Sequence, residues 1–547
     1  MSFFNDKLSL NKINQLFPTK ALYEAHSVEP KTLVELRMIK ASAFIRSSPE
    51  WVDQLSDEGK CLEWTTQVKD TLNLVDEEVE YVFEELKYYA QLKENSNAGE
   101  ELGAIDNMWI TNAGSNCELV DEFRRNAAVL ENDSTKAEST KGEGAPLADL
   151  QALVDPFLYP LDTKESCILT KPVESPEDSL NIELPRVKPG CLEAWCQAIK
   201  DFNSRQSNSG TEFDKRELSQ LVNGHPPYLP DELLRYWLPT DFNVNDDGSV
   251  TIRSYINNLH PVRYAALYQS ISKVFAKFVP LLEQVATDMI HPRKFRAEFS
   301  PETCVTRSMI DPYVILDMAK KGEEIPEKYR KYITTWRRVS DNSGKREVCL
   351  NTNAFSEIGG CAEEDVYLDP IPEPFSLPER PLKPYSMREM PLQASVEMSS
   401  ILLTPENPTH PMGEWQAVGI VEERIFAVGF YFYDVENITS AKIKFRDPVW
   451  KNNFVDPEYL CAYFETDNVD SEFTYGCNYS QEVGEVEVKS GSYICYPNFY
   501  QTKMPAFELA DPTLPGHVKY IAFYIVDPAQ RLVSTEIVPP QQPHWTY

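Results

Sequence analysis

The C-terminal part of the sequence limits the fold most, because short segments rich in β-branched and aromatic residues alternate there with breaks at Asn, Asp, Gly and Pro. Residues 425–433, 441–445, 493–500 and 518–526 are segments of this kind. Such segments favour β-strands that pair into a sandwich or a barrel. We therefore expect residues 392–547 to form a β-domain.

The N-terminal part of the sequence shows helical spacing instead. Within residues 75–93, apolar residues recur three or four positions apart, among them Val79, Val82, Leu86 and Tyr89. This spacing places them on one face of a helix. A second helix is predicted over residues 261–290, after a short strand at residues 250–255. The chain is therefore expected to belong to the α+β class.

Composition divides the chain into five expected segments. These are a helical N-terminal region (1–130), a flexible linker (131–146), a mixed α/β middle region (147–368), a connector (369–391) and the β-domain (392–547). The linker is predicted because its polar and glycine-containing sequence cannot bury apolar surface. The connector is predicted because its many prolines exclude a helix or a central strand.

Charge and cysteine content exclude several classes of function. The formal net charge of −32 opposes binding of nucleic acid by the surface as a whole, so no DNA partner is expected. The 11 cysteines contain no C-x-x-C pair, which gives no indication of a zinc site or a disulfide framework. No apolar run is long enough to cross a membrane and no signal peptide is evident, so the sequence predicts a cytoplasmic protein without a membrane partner.

Motifs for common catalytic machinery are also absent from the sequence. It contains no ATP-binding loop motif, no dinucleotide-binding glycine fingerprint and no G-x-S-x-G motif. We therefore expect no cofactor. If the protein forms a bond, its substrate should arrive already activated.

A local basic stretch stands out against the acidic chain. Residues 320–346 hold nine basic and four acidic residues, a net charge of +5. Four cations in it are candidates for contacts with RNA phosphates: Arg330, Lys331, Arg337 and Arg338. The ordinary alternative for such a run is a solvated surface.

The predicted helix at residues 75–93 also carries carboxylates beside its apolar stripe. Asp76, Glu77, Glu80 and Glu84 fall on one flank of it. Crowded carboxylates raise one another's pKa and can serve as a general base or bind a cation. The ordinary alternative is a solvated acidic face.

Three blocks of the sequence resemble a large fungal family that is known only as a domain of unknown function. They are residues 251–261, 396–446 and 491–542, with TIRSYINNLHP, GEWQAVG and YPNFYQT among their sequences. Many members of that family resemble Fe(II)/2-oxoglutarate oxygenases and carry the motifs W-H-x-E-G, Y-Q-H and G-H-R. The resemblance implies a double-stranded β-helix, or jelly-roll, for the C-terminal domain.

The positions that would bind iron and 2-oxoglutarate in that family have changed here. Gln416 and Val418 replace the His and Glu of the first motif, Thr502 replaces the second His, and Val518 replaces the Arg. None of the seven histidines is followed two residues later by Asp or Glu, the usual form of an iron-binding triad. We therefore expect a degenerate site without a metal, in which Gln416, Asn498 and Thr502 bind substrate.

Part of this family further resembles the arginine-containing cyclodipeptide synthases, whose signature is an acidic D-D-x-x-E motif. Asp76-Glu77-Glu78-Val79-Glu80 matches it with Glu in place of the second Asp, and residues 323–327 fit about as loosely. The resemblance implies condensation of arginine and a second amino acid from aminoacyl-tRNAs, with Asp76, Glu77 and Glu80 as catalytic residues. Two alternatives stay open: a small-molecule-binding protein without turnover, and an oxygenase with an atypical metal site. The oligomeric state is left open.

Overall fold

The computed structural model describes most of the sequence between residues 30 and 545. The described ranges are 30–48, 50–96, 99–112, 118–133, 150–162, 165–181, 183–184, 186–187, 235–299, 305–307, 321, 333–337, 346–350, 365–367, 369–419, 423–449, 464, 467–468, 479–528 and 531–545. The predicted linker at residues 131–146 lies mostly outside them, as does much of the predicted middle region.

Helices dominate the N-terminal part of the described chain. The α-helices are α1 (Leu33–Arg46), α2 (Trp51–Gln54), α3 (Glu58–Leu72), α4 (Asp76–Glu94), α5 (Glu118–Glu131) and α6 (Ala265–Ile290). Short 3-10 turns occur at Glu177–Leu180 and Pro543–Trp545. None of the described helices combines the length and the apolar content that a membrane span requires.

Strands occur along the whole described chain and lengthen toward its C-terminus. Before the connector they are β1 (Glu101–Leu102), β2 (Trp109–Asn112), β3 (Leu150–Val154), β4 (Leu161–Asp162), β5 (Ile168–Leu169), β6 (Arg186–Val187), β7 (Arg235–Tyr236), β8 (Thr240–Val244), β9 (Val250–Ile252), β10 (Val305–Arg307), β11 (Ile333–Arg337), β12 (Arg346–Leu350) and β13 (Asp365–Tyr367). After it they are β14 (Pro391–Leu403), β15 (Thr409–His410), β16 (Ile425–Glu436), β17 (Lys442–Val449), β18 (Asp467–Asn468), β19 (Tyr479–Glu487), β20 (Ser492–Pro497), β21 (Gln501–Lys503), β22 (Phe507–Glu508) and β23 (Gly516–Val526). The α+β class expected from the sequence is confirmed.

Two antiparallel sheets organise the C-terminal half. Within the described ranges the larger has nine strands in the order β1-β2-β20-β16-β23-β14-β8-β9, with β3 also paired to β14. The smaller has four strands in the order β18-β19-β17-β21. An apolar core joins the two sheets, since Phe432 and Tyr496 of the larger pack in one cluster with Phe445 and Val483 of the smaller. We call the space between the sheets the sandwich interior.

Helix α6 covers the other face of the large sheet. Phe275 and Phe278 of this helix lie 5.1 and 5.4 Å from Phe523 of β23, measured between ring centroids. The approach is close, because a Cβ added at Gly429 of β16 would lie 2.7 Å from the Phe278 ring. Burial of these aromatic rings, which come from the helix and from the sheet, holds α6 against the sheet.

The connector at residues 369–391 has neither helix nor strand before β14 begins. Its Arg380 is buried against α6, where it forms an ion pair with Asp288 and donates a hydrogen bond to Gln284. Trp109 of β2 donates a hydrogen bond of 2.7 Å to the same Asp288. The connector therefore packs on the helix and the N-terminal strands rather than crossing open solvent.

Candidate functional site

The acidic segment opens helix α4, and the three carboxylates predicted from the sequence are exposed. Asp76 is the first residue of the helix and its side chain is 89% exposed, in an ion pair with Lys69. Glu77 and Glu80 are exposed as well, and within the described ranges they form no ion pair or hydrogen bond through their side chains. Carboxylates in the first turn stabilise a helix through its dipole, which gives Asp76 and Glu77 a structural role too.

Glu78 differs from its neighbours because it points into the protein. Its carboxylate accepts a hydrogen bond of 3.0 Å from the backbone N–H of Val75, which caps the helix, and lies 3.8 Å from Arg37. Burial raises the pKa of Glu78 to about 7, although Arg37 and the Val75 N–H act in the opposite direction. A carboxyl group with this pKa exchanges its proton near neutral pH.

A buried charge network lies farther along the same face of α4. The Arg296 guanidinium bonds Glu35 of α1 at 2.7 Å, Glu85 of α4 at 2.9 Å and Asp106 of the β1–β2 loop at 2.8 Å. We call these four residues, together with Arg293, the arginine cluster. Burial disfavours the ionised form of Asp106, but Arg296 holds the pKa of Asp106 well below its usual range. Burial instead raises the pKa of Glu35, despite Arg296.

Arg293 is the member of the arginine cluster with spare donors. Its guanidinium lies 4.8 Å from the centre of the Tyr89 ring and donates a hydrogen bond to the Tyr89 hydroxyl. Within the described part of the chain, the Nε and Nη2 atoms of Arg293 are buried without a hydrogen-bond partner. Buried donors of this kind are normally paired, so the position suits an acceptor such as a carbonyl oxygen or an oxyanion.

The arginine cluster touches the β-domain at one defined contact. The Tyr500 hydroxyl donates a hydrogen bond of 3.1 Å to the backbone carbonyl of Asp106. Tyr500 directly precedes β21, which contains Thr502. The buried face of α4 is therefore linked through Asp106 to the strand that carries a predicted substrate-binding residue.

In the β-domain the structure brings Gln416 and Thr502 together. Their backbones exchange two hydrogen bonds, of 2.8 and 2.9 Å. The Gln416 side chain is exposed and Thr502 is half-buried. Asn498 is buried, and its amide nitrogen donates to the carbonyls of Val418 and Ile425 at 3.0 and 3.1 Å, whereas its Oδ1 has no partner. The amide nitrogen of Asn498 therefore stabilises the backbone at Val418 and Ile425.

These residues do not fit an iron ion. Gln416, Val418 and Thr502 present no imidazole or carboxylate, and Val518 is fully buried in the apolar core where an Arg would bind 2-oxoglutarate. Of the nearby histidines, His410 stacks on Phe507 and His517 pairs with Asp434 at 2.8 Å. Across the part of the chain that the structure describes, no three His, Cys, Asp or Glu are grouped to hold a metal. The expected absence of a metal stays a prediction.

The predicted RNA-binding cations fall largely outside the described residues. Arg330, Lys331 and Arg338 are among those not described. Arg337 is described by its backbone alone, as the last residue of β11, where it pairs with Arg346 of β12. The residues 323–327, which matched the acidic motif loosely, also lie outside the described ranges.

The two predicted groups of site residues are not in contact. Among the described residues, no hydrogen bond or ion pair joins Asp76, Glu77 or Glu80 to the side chains at 416, 498 or 502. Sequence reasoning missed the residues that lie between them: Glu35, Glu78, Glu85, Asp106, Arg293 and Arg296. One signal was present, because Glu78 and Glu85 are seven residues apart and lie among the apolar residues of α4, where a solvated charge is not expected.

Comparison with known proteins gives a family without an assigned activity. A family model described as "Protein of unknown function (DUF4246)" matches residues 76–547. The chain belongs to this DUF4246 family. Membership in a family of unknown function, expected from the sequence, is thereby confirmed. Curated proteins include no significant match to this chain.

Two solved structures show limited similarity to this DUF4246 protein. An Fe(II)/α-ketoglutarate-dependent dioxygenase, TqaL, is 7% identical, with a TM-score of 0.21, over 64% of this chain and 94% of that one. IDO from Bacillus thuringiensis is 6% identical, with a TM-score of 0.15, over 25% of this chain. The chain spans 50% of the length of that protein.

Proposed function

We propose that this protein is a cyclodipeptide synthase that condenses arginine and a second amino acid, both delivered as aminoacyl-tRNAs, into a cyclo-Arg-Xaa diketopiperazine. The observation that carries the proposal is Glu78, a buried carboxyl with a pKa of about 7 inside the segment that resembles the acidic motif of such synthases. The missing iron ligands at positions 416, 418 and 502 support it, because they count against oxygenase chemistry. The reaction uses the cytosolic pool of charged tRNA and no cofactor.

In this proposal an oxygenase-like fold supports a different reaction. We interpret the two facing sheets as a double-stranded β-helix whose metal site has been lost. The chemistry would then belong to the helical part, at α4 and the arginine cluster. In this interpretation Gln416, Asn498 and Thr502 contact the bound substrate from the β-domain.

The reaction needs little beyond positioning and proton transfer, since an aminoacyl ester is already activated. The α-amine of one aminoacyl-tRNA attacks the ester carbonyl of the other, and a tRNA hydroxyl leaves. The amine of the resulting dipeptidyl ester then attacks the remaining ester carbonyl, which closes the ring and releases the second tRNA. Glu78 takes the proton from the attacking amine, and the leaving tRNA oxygen receives a proton in return.

The other groups have roles that match their environments. The exposed Asp76, Glu77 and Glu80 pair with the substrate guanidinium and ammonium, which bind carboxylates through charge-assisted hydrogen bonds. The spare donors of Arg293 stabilise the oxyanion that forms at the attacked carbonyl. Arg330, Lys331, Arg337 and Arg338 contact tRNA phosphates.

Expression of the chain alone in a bacterial host tests the proposal, with mass spectrometry of the extracted small molecules. Wild type should yield a cyclo-Arg-Xaa product. Glu78→Gln should lower its amount by about 10²-fold or more, the usual range for loss of a catalytic acid–base group. Glu80→Gln and Asp76→Asn should lower it as well, because each removes a carboxylate that pairs with the substrate. Glu84→Gln is the matched control, because Glu84 is exposed on the same helix in an ion pair with Lys87.

Two results would count against the proposal in different ways. A folded wild-type protein that yields no cyclodipeptide favours a binding protein without turnover. Normal yield from Glu78→Gln, Glu80→Gln and Asp76→Asn leaves the acidic segment with a structural role only. The search for the catalytic carboxylates then moves to residues 323–327.

A further inference from the structure

A carboxylate surrounded by tyrosines lies in the sandwich interior. Glu397 of β14 accepts hydrogen bonds from the Tyr520 hydroxyl at 2.9 Å and from the Ser399 hydroxyl at 2.9 Å on one oxygen. Its other oxygen accepts a hydrogen bond from the Tyr524 hydroxyl at 2.5 Å. Tyr520 and Tyr524 lie on the adjacent strand β23, and both belong to the packing between the two sheets.

The Glu397 carboxylate has no cationic side chain beside it in the part of the chain that the structure describes. Within the described residues, no Lys, Arg or His nitrogen lies within ion-pair distance of it. Burial and the nearby Glu397 raise the pKa of Tyr520 and of Tyr524 well above the usual range, so both hydroxyls stay protonated donors. These neutral donors orient the carboxylate and leave its negative charge available to a bound cation.

The walls around Glu397 are aromatic. Trp237 lies 4.9 Å from Tyr524, and Phe430 lies 5.4 Å from Tyr520, measured between ring centroids. Tyr496 of β20 stacks on Phe430 at 6.3 Å. The Tyr496 hydroxyl is buried near the side chain of Thr502, and Glu397 lies close enough to influence its pKa.

The position is reachable from solvent. Glu397 and Tyr520 are both half-buried rather than fully enclosed. Phe157 packs its ring against Trp237 at 5.0 Å between ring centroids and is 69% exposed, so this aromatic group extends to the protein surface.

We propose that Glu397, with Trp237, Tyr496, Tyr520 and Tyr524, forms a binding site for an organic cation that carries a guanidinium or ammonium group. A carboxylate supplies the charge and the aromatic faces supply cation–π attraction, the combination by which proteins bind such cations. Tyr496 adds a buried hydroxyl that can form a second hydrogen bond. The site stands on the geometry of the β-domain and does not depend on the proposed synthase activity.

Calorimetric titration of the purified full chain tests the site with three probes. L-Arginine and L-lysine carry the two cationic groups at the end of the side chain. L-Citrulline has the same α-ammonium and α-carboxylate as both but replaces the side-chain guanidinium by a neutral group of nearly the same shape. Saturable binding of arginine or lysine without binding of citrulline is expected. Tighter binding of arginine assigns the site to a guanidinium, and tighter binding of lysine assigns it to an ammonium.

Variants separate this site from other carboxylates. Glu397→Gln should weaken binding at least about tenfold, because a charge-assisted contact is replaced by a neutral one. Tyr496→Phe should weaken it several-fold, because the variant removes the buried hydroxyl and keeps the aromatic ring. Glu406→Gln, at an exposed position after β14, should bind as wild type does. Equal binding of citrulline, no binding of any probe, or unchanged affinity in both site variants would overturn the proposal.

Discussion

Glu78 is the residue that gives the acidic segment a chemical capacity beyond that of a solvated helix face. Asp76, Glu77 and Glu80 could be chosen from the sequence because they match a motif and share a flank. The burial of Glu78 could not, because it depends on α1 and on residues near Asp369, which approach from elsewhere in the chain. The sequence shows which residues are acidic, whereas the tertiary packing decides which of them ionises near neutral pH.

The raised pKa of Glu78 predicts that the Glu78→Gln variant and the wild type differ in their free energy of unfolding by an amount that depends on pH. The folded-state pKa of about 7 exceeds the ordinary glutamate value of 4.5, so the folded protein binds the proton more tightly than the unfolded chain. The stability that the protonated group contributes is complete below about pH 4.5 and is lost as the pH rises through about 7. Glu78→Gln keeps an acceptor for the Val75 N–H and cannot ionise. It should therefore gain stability over wild type across this window, by at most about 3 kcal/mol.

Urea unfolding of both proteins at about pH 5 and about pH 8 measures this difference. Glu77→Gln is the control, because Glu77 is exposed on the same turn and should change stability by less than about 0.5 kcal/mol at either pH. A constant difference between Glu78→Gln and wild type at the two pH values would mean that Glu78 does not titrate in this range.

Helix α4 is the element that joins the candidate chemistry to the fold. The apolar spacing predicted a helix over residues 75–93, and the structure has Asp76–Glu94. Four strands of the β-domain were predicted as well, namely β16, β17, β20 and β23. The longest strand, β14, and strand β19 were not predicted. Strands β1 and β2, of two and four residues, were not predicted, because so few residues carry no recognisable periodicity. The spacing of apolar residues along the sequence also could not show that Arg296 packs against α4.

Arg296 should stabilise the packing of α4 strongly. Arg296→Met leaves Glu35, Glu85 and Asp106 buried without their shared cation, and removal of one partner from a buried ion pair typically costs about 3–5 kcal/mol. The loss should be smaller near pH 5 than near pH 8, because carboxylates without a cation take up protons more readily. Unfolding free energies at the two pH values test this.

Lys87→Met is the control on the same helix. Lys87 pairs with Glu84, and their side chains are 59% and 49% exposed. Loss of such an exposed pair should cost no more than about 0.5 kcal/mol. If Arg296→Met is as mild as Lys87→Met, the arginine cluster does not hold α4 in place.

The whole molecule is built around a sheet that draws strands from much of the chain. Its members run from β1 near residue 101 to β23 ending at residue 526, and α6 covers the face opposite the sandwich interior. A β-domain confined to residues 392–547 accounts for only part of this sheet. Long-range pairing, such as β14 with β8 and β3, depends on contacts that a single sequence does not display.

The altered ligand positions predict a protein that does not retain iron. After anaerobic loading with Fe(II) and gel filtration, elemental analysis should find well below one iron per chain, and 2-oxoglutarate should not stimulate oxygen uptake. Gln416, Val418 and Thr502 offer no imidazole or carboxylate to the metal. Tight one-to-one retention with oxygen uptake would instead restore the oxygenase alternative.

The central claim is that charged tRNA is the substrate, and reconstitution from purified parts tests it most directly. The chain should form cyclo-Arg-Xaa when arginyl-tRNA synthetase, a second synthetase, tRNA, ATP and the two amino acids are supplied, and RNase should stop the reaction. Neutralising Arg330, Lys331, Arg337 and Arg338 should weaken the reaction for every second amino acid alike. It should also flatten the salt dependence by about 0.7–0.9 log units per lost phosphate contact. Cyclodipeptide formed from free amino acids after complete RNase digestion, or none formed with both tRNAs charged, would contradict the account.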